Sequence, residues 1–266
     1  MSSKADIRRV GVRLVPGDAS DPEVVARIVA LGAEAEAAGI DLVAVPERLG
    51  AGGVPAALPV CSAIAAVTSR IAIATALLPL PLHHPLRVAE DAATVDGIAG
   101  GRLELGVGLG ADRTELAGFG LEAGERVDRF EEAIAILRAA WADGPVVHEG
   151  EHFTVDGLEV FPKPVRPGGP PLWVGARSEA ALDRAARLAL GVLVEPGTEF
   201  SLYLEGCARS GATARVAVTG PADAVADHAR EARAAHPSLA LEAWLDTDPM
   251  APNPLSAAKA LVDSGA

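Results

Sequence analysis

The apolar positions of this chain alternate between two periods from one end to the other. Short β-branched runs with a two-residue period give way to Ala-rich segments in which apolar residues recur every three or four positions, and the exchange repeats. Residues 7–15 read as a strand. Asp21, Pro22 and Glu23 then open a helix in the order of cap, proline and early acid, and Gly39 ends it. Residues 40–45, 70–76 and 100–110 continue as strands, with helices over 55–68 and 85–100 between them. The clearest helix begins near Glu125. Val127, Phe130, Ile134, Leu137 and Trp141 share one of its faces, while Arg126, Arg129, Glu131, Glu132 and Arg138 take the others.

Residues 142–170 break the rhythm with a hairpin-like VVHEGEHFTV and a Pro-rich PKPVRPGGPP, a long irregular excursion of the kind that in compact domains is more often functional than accidental. The alternation then resumes. Strands are expected at 172–175, 191–194, 216–218 and 239–245, with helices near 178–189, 198–210, 221–235 and 253–263. Eight strands alternating with eight helices predict an α/β fold, a (β/α)8 TIM barrel forming a single domain over residues 1–266, with the excursion between the fourth helix and the fifth strand. An open, doubly wound sheet is the competing arrangement.

Composition narrows the partners. Half the residues are hydrophobic but only 3% are aromatic, so the core must be built from Ala, Val, Leu and Ile. The formal charge of −13 is scattered along the chain, which makes nucleic acid and anionic membranes poor partners and leaves a small-molecule substrate. The start, MSSKADIRRV, has no apolar leader pattern, and no apolar run approaches the length of a membrane span; the expected location is cytoplasmic. Cys61 and Cys207 are isolated, with neither metal nor redox spacing, and are expected to be buried structural thiols.

The stretch GGRLELGVGLG at 100–110 invites a nucleotide-loop reading. A dinucleotide fingerprint needs G-x-G-x-x-G with a helix starting at once, whereas Gly106, Gly108 and Gly110 alternate and fifteen residues of loop-like sequence follow. A phosphate loop fails too, lacking a Lys-Ser/Thr pair. Strand alternation instead sends Leu103, Leu105 and Val107 toward the helices, and Arg102, Glu104, Gly106 and Gly108 into the barrel. Inward glycines at the end of a strand would leave a bare space at the barrel mouth where a flat ligand could lie on backbone; the alternative is that they only relieve crowding. His148-Glu149-Gly150-Glu151-His152 satisfies the H-E-x-x-H zinc pattern, which requires a helix. Its central glycine and flanking β-branched residues predict a hairpin, and no third ligand is evident, so no metal site is expected.

SRIAIATALLPLPLHHPLRVAEDAATVDGIAGGRLELGVGLG, followed by Glu115 and Phe119-Gly120, closely resembles the bacterial luciferase-like family of flavin- and deazaflavin-dependent oxidoreductases, as does the later PPLWVGARSEAALDRAA. The resemblance runs from about Gly39 to Gly191. It implies a barrel binding FMN or the 5-deazaflavin coenzyme F420 at its mouth, monooxygenation or hydride transfer as the chemistry, and a homodimer. Gly175, Ala176, Arg177 and Ser178 match the family's phosphate site, and a helix start, a hydroxyl and a guanidinium suit a phosphate; the alternative is that Ser178 only caps the helix that follows. Thr75, Ala76 and Leu77 match the strand end where the family packs backbone against the ring system, often with a non-proline cis peptide, and the ring is expected over Thr75, Ala76, Gly106 and Gly108. His84-Pro85 matches a recurrent pair, with the histidine expected to fasten its loop.

The chain departs from the family where many relatives carry an acid followed by a histidine at the reaction centre; here Glu47-Arg48 stands. Arg48 does not exchange protons near neutral pH, so it is the candidate for binding an anionic substrate or a developing oxyanion, and Glu47 is the candidate for proton transfer. A plain salt bridge between them is the alternative. Ala111 and Leu190 also replace characteristic family residues. These departures keep open a barrel that no longer uses flavin and either catalyses a non-redox step or serves as a binding protein.

Overall fold

The computed structural model describes residues 7–16, 20–49, 56–236 and 238–264. In chain order the elements are β1 (Ile7–Leu14), α1 (Val24–Ala37), β2 (Leu42–Val45), α2 (Ala57–Val67), β3 (Ala72–Pro79), α3 (Pro85–Ile98), β4 (Leu103–Gly108), α4 (Arg113–Gly118) and α5 (Arg126–Trp141). There follow β5 (Val146–Glu149), β6 (Thr154–Leu158), β7 (Leu172–Gly175), α6 (Glu179–Arg187), β8 (Gly191–Val194), α7 (Ser201–Ser210), β9 (Val216–Gly220), α8 (Ala222–Ala235), β10 (Leu241–Thr247) and α9 (Ser256–Asp263). The expected helix start at Pro55 lies outside the described residues.

The barrel closes in the order β1-β10-β9-β8-β7-β4-β3-β2, with every neighbouring pair parallel. The competing open sheet is therefore excluded. Strand alternation sorts the wall into two layers. Val10, Val12, Leu14, Leu103, Leu105 and Val107 pack outward with the helices, while Leu42, Ala44, Ala74, Ala76, Trp173, Leu193, Ala217 and Trp244 fill the interior. Small residues on β2, β3 and β9 make room for the two indoles, whose rings lie 5.3 Å apart.

Below the indoles the barrel floor is charged. The Arg9 guanidinium forks to Glu104 (2.6 and 3.1 Å) and to Glu242 (2.7 and 2.8 Å), Trp173 Nε1 donates to Glu104, and Trp244 Nε1 donates to Glu242. The inward placement of Glu104 follows its strand position. Arg102 does not: it precedes β4, and its guanidinium turns out to the carbonyls of Ala65, Thr68 and Ile71, closing the end of α2. A guanidinium can satisfy these orphan carbonyls, whereas inside the barrel it would have needed a third acid.

The excursion forms the antiparallel β5–β6 hairpin, so HEGEH is not helical. Glu132 on α5 organises its tip by accepting from the amides of Glu151, His152 and Phe153. A short helix absent from the sequence reading, α4, follows β4 because the Asp112 side chain accepts from the amides of Thr114 and Glu115. Both cysteines are buried and free, and burial raises both thiols above their ordinary range. Among the described residues no helix is long and apolar enough to cross a membrane.

Candidate active site at the barrel mouth

Parallel strands bring their C-terminal ends to one rim, which gathers Val45, Pro79, Gly108, Gly175 and Val194 with the loops that follow them. The Ala76–Leu77 peptide is cis, and the β3–β4 register shifts between Thr75 and Leu78. The Leu77 side chain covers the glycines. A Cβ on Gly108 would lie 3.2 Å from Leu77, one on Gly175 2.8 Å, and one on Gly106 only 2.1 Å from the Thr75 carbonyl oxygen. The glycines therefore do not leave the bare patch that strand geometry suggested. They let β3 and β4 approach closely and let an isobutyl group lie flush against the inner wall.

Thr75 is fully buried, and its hydroxyl donates to the Gly106 carbonyl at 2.6 Å, so it ties the two strands together. Ala76 faces the interior. What a ligand at this wall would meet is an apolar surface made by Ala76 and Leu77.

Glu47 and Arg48 do not pair with one another. The Glu47 side chain is only 4% exposed; Oε1 lies 2.7 Å from His83 Nε2, and Oε2 accepts from the Ala57 amide at the start of α2 at 2.7 Å. Its own amide donates to the Leu77 carbonyl, which fixes this pair one hydrogen bond from the apolar wall. Arg48 is 55% exposed and reaches Asp112 at 3.4 Å, while the adjacent Leu49 amide donates to Glu115. The histidine at the site is thus His83, which the sequence reading passed over in favour of its neighbour. His84 caps α3 through Nδ1 and packs edge-on to Phe153, the fastening role expected of it. The only sequence signal separating the two histidines was the proline after His84, which marks that residue as the cap.

The β7–α6 junction holds the other expected group. Ala176 is buried with its amide donated to Leu193, Ser178 caps α6 by accepting from the Ala181 amide, and Arg177, 75% exposed, pairs with Glu195 at 2.5 Å. Across the mouth, Arg13 on β1 pairs with Asp246 on β10 at 2.7 Å, a contact between residues 233 positions apart that no local pattern signals. A separate groove of about 620 Å³, lined by residues that include His84, Arg87, Leu158 and Phe161, lies between α3 and the excursion and brings no comparable grouping together. Among the described residues no cluster of three or more His, Cys, Asp or Glu side chains is arranged to hold a metal ion.

A family model described as luciferase-like monooxygenase matches residues 10–264. The chain belongs to that family. Among curated luciferase-like relatives, an F420-dependent glucose-6-phosphate dehydrogenase of Beutenbergia cavernae is 38% identical over 180 residues, which is 64% of this chain and 53% of that protein. One from Microbacterium testaceum is 35% identical over 65% of this chain and 54% of its own length. The chain spans about half the length of these curated relatives. Among solved structures, an F420-dependent secondary alcohol dehydrogenase in complex with an F420-acetone adduct superposes with a TM-score of 0.76 at 17% identity, covering 97% of this chain and 99% of that one. The oxygenating constituent of 3,6-diketocamphane monooxygenase from Pseudomonas putida, in complex with FMN, gives 0.73 at 21% identity over 80% and 66%. At these identities the structural likeness establishes the shared barrel.

Proposed function

We propose that this chain is a flavin- or deazaflavin-dependent oxidoreductase acting on a small organic substrate at the C-terminal mouth of the barrel. The observation that carries the reading is the apolar wall of Ala76 and Leu77, backed by Gly106, Gly108 and Gly175 and bordered by the Glu47–His83 pair. The residues present fit the cofactor. A flat ring system would lie on Ala76 and Leu77 rather than directly on Gly106 and Gly108, and its phosphate would take the start of α6 with Arg177 and Ser178. When bound, such a ring supplies two-electron redox chemistry.

The chain's own residues supply the rest. An ionised Glu47 can only accept, which would put the hydrogen of this contact on His83 Nε2 and leave Nδ1 as the proton acceptor. Glu47 therefore acts by positioning His83 rather than as the base itself. Arg48, on the exposed rim, serves to attract or orient a substrate rather than to move protons.

One observation favours a second reading, a barrel that works without flavin: Arg177 already holds a carboxylate, and Ser178 spends an acceptor site on its own helix. Titration of the purified protein with FMN and with the deazaflavin coenzyme, followed by visible absorbance, separates the two. Saturable binding of either, strongly weakened by Arg177→Ala with Ser178→Ala, is the expected result. If neither binds while circular dichroism shows an intact barrel, the flavin reading fails. The family resemblance also supports a homodimer, which sedimentation tests, and cell fractionation tests the cytoplasmic location expected from the sequence.

A further inference from the structure

The mouth has two unlike halves. Over β3, β4 and β7 the inner wall is Ala76, Leu77 and glycine, but over β9, β10 and β1 it is polar. Val10, Val12 and Leu14 pack outward, as do Leu241, Ala243 and Leu245 and, on β9, Val216 and Val218. Arg13, Asp246 and Thr219 therefore face inward. Their register joins them: Arg13 pairs with Asp246, and Thr219 pairs with Trp244, two residues below Asp246 on the same strand.

Arg13 and Asp246 keep 24% and 30% of their side chains exposed at the rim, and Thr219, 4% exposed, lies below them on the inner wall. Among the described residues the Thr219 hydroxyl has no hydrogen-bond partner. A buried hydroxyl left unpaired costs about 1–3 kcal/mol, a penalty that a bound ligand would relieve. A valine at this position would fill the same space without that cost.

We propose that Arg13, Thr219 and Asp246 form the polar half of the substrate site and that they select an uncharged, hydroxyl-bearing substrate over a phosphorylated one. This rests on the mouth being the active site, as proposed above. The charge balance decides the class. Arg13 is neutralised by Asp246, and Glu195, directly after β8, is paired with Arg177, so among the described residues a phosphate would meet no unpaired cation on this arc. The ion pair offers guanidinium N–H donors and carboxylate acceptors side by side, and Thr219 can do either, which is the complement of adjacent hydroxyl groups. The curated relatives named above act, by their descriptions, on a sugar phosphate; this arc predicts the opposite preference.

The test is a methyl-resolved NMR titration of the full chain with glycerol, D-glucose and D-glucose 6-phosphate. The neutral probes should shift the Thr219 and Ala217 methyl signals saturably, and the phosphate should bind at least about tenfold more weakly, or 1.4 kcal/mol. Thr219→Val, which keeps the shape, should abolish the response, and Thr219→Ser should retain it. Equal or tighter binding of the phosphate overturns the proposal, as does no response to either neutral probe or an undiminished response in Thr219→Val. Cofactor titration of the same variants separates this from the broader reading. Polyol binding without any flavin or deazaflavin binding would sink the oxidoreductase assignment and leave the arc standing, and the reverse pattern would do the opposite.

Discussion

His83 Nε2 lies 2.7 Å from Glu47 Oε1, although Glu47 follows β2 and His83 follows β3. The carboxylate is fixed from its other side by the Ala57 amide at the start of α2, so it is an anchored acceptor for the histidine. A pair acting as one unit predicts non-additive losses. Glu47→Gln and His83→Asn should each lower turnover by about 10²–10⁴-fold, the range of general acid–base catalysis. The double variant should be no slower than His83→Asn, and cofactor affinity should hold in all three. Additive losses in steady-state kinetics would argue that the two residues act separately.

Gly106 is the position in the mouth least able to accept a side chain. Its Cβ would stand 2.1 Å from a backbone oxygen of the neighbouring strand, which cannot move without opening the β3–β4 ladder. Gly106→Ala should cost about 1–3 kcal/mol or more by denaturant unfolding. Gly97→Ala is the control: in α3 its Cβ would meet nothing within 4 Å, and it should stabilise by about 0.5–1 kcal/mol.

Arg9 is the guanidinium that hydrogen-bonds both acids of the barrel floor, while Arg215 lies over the Trp173 ring nearby. Arg9→Met leaves Glu104 and Glu242 buried without their partner and should cost about 3–5 kcal/mol at neutral pH. Burial already pushes the Glu242 carboxyl above its ordinary range, against the pull of Arg9. Without Arg9 it rises further, and a carboxyl raised in the folded state destabilises increasingly as pH climbs past its unfolded value. The deficit measured by thermal unfolding should therefore shrink in mildly acidic buffer; a constant deficit would show that charge is not the cause.

Glu36, near the end of α1, shows the opposite shift. Burial works to raise its carboxyl, but the amides of Ile71, Arg70 and Ser69 outweigh that and hold it at about 2 instead of 4.5. With the folded value lowered, its contribution is complete above the unfolded value and is lost as pH falls from about 4.5 toward about 2. Glu36→Gln should flatten that limb of the acid unfolding curve and leave the neutral-to-alkaline limb unchanged.

The sequence by itself determined the order of strands and helices, the outward face of Leu103, Leu105 and Val107 and the hairpin around HEGEH. Each follows from contacts within a few residues, or from which side of an element avoids water. Only the tertiary structure decided that Glu47 meets His83, 36 residues away, and that Arg48 meets Asp112, 64 away. The same holds for Leu77 over the glycines of two other strands, and for Arg102 leaving the barrel. These pairings exist because closing the barrel sets β2, β3, β4 and β7 side by side at a particular register. Local periodicity fixes which face a side chain takes but not which residue of a neighbouring strand or loop stands opposite it.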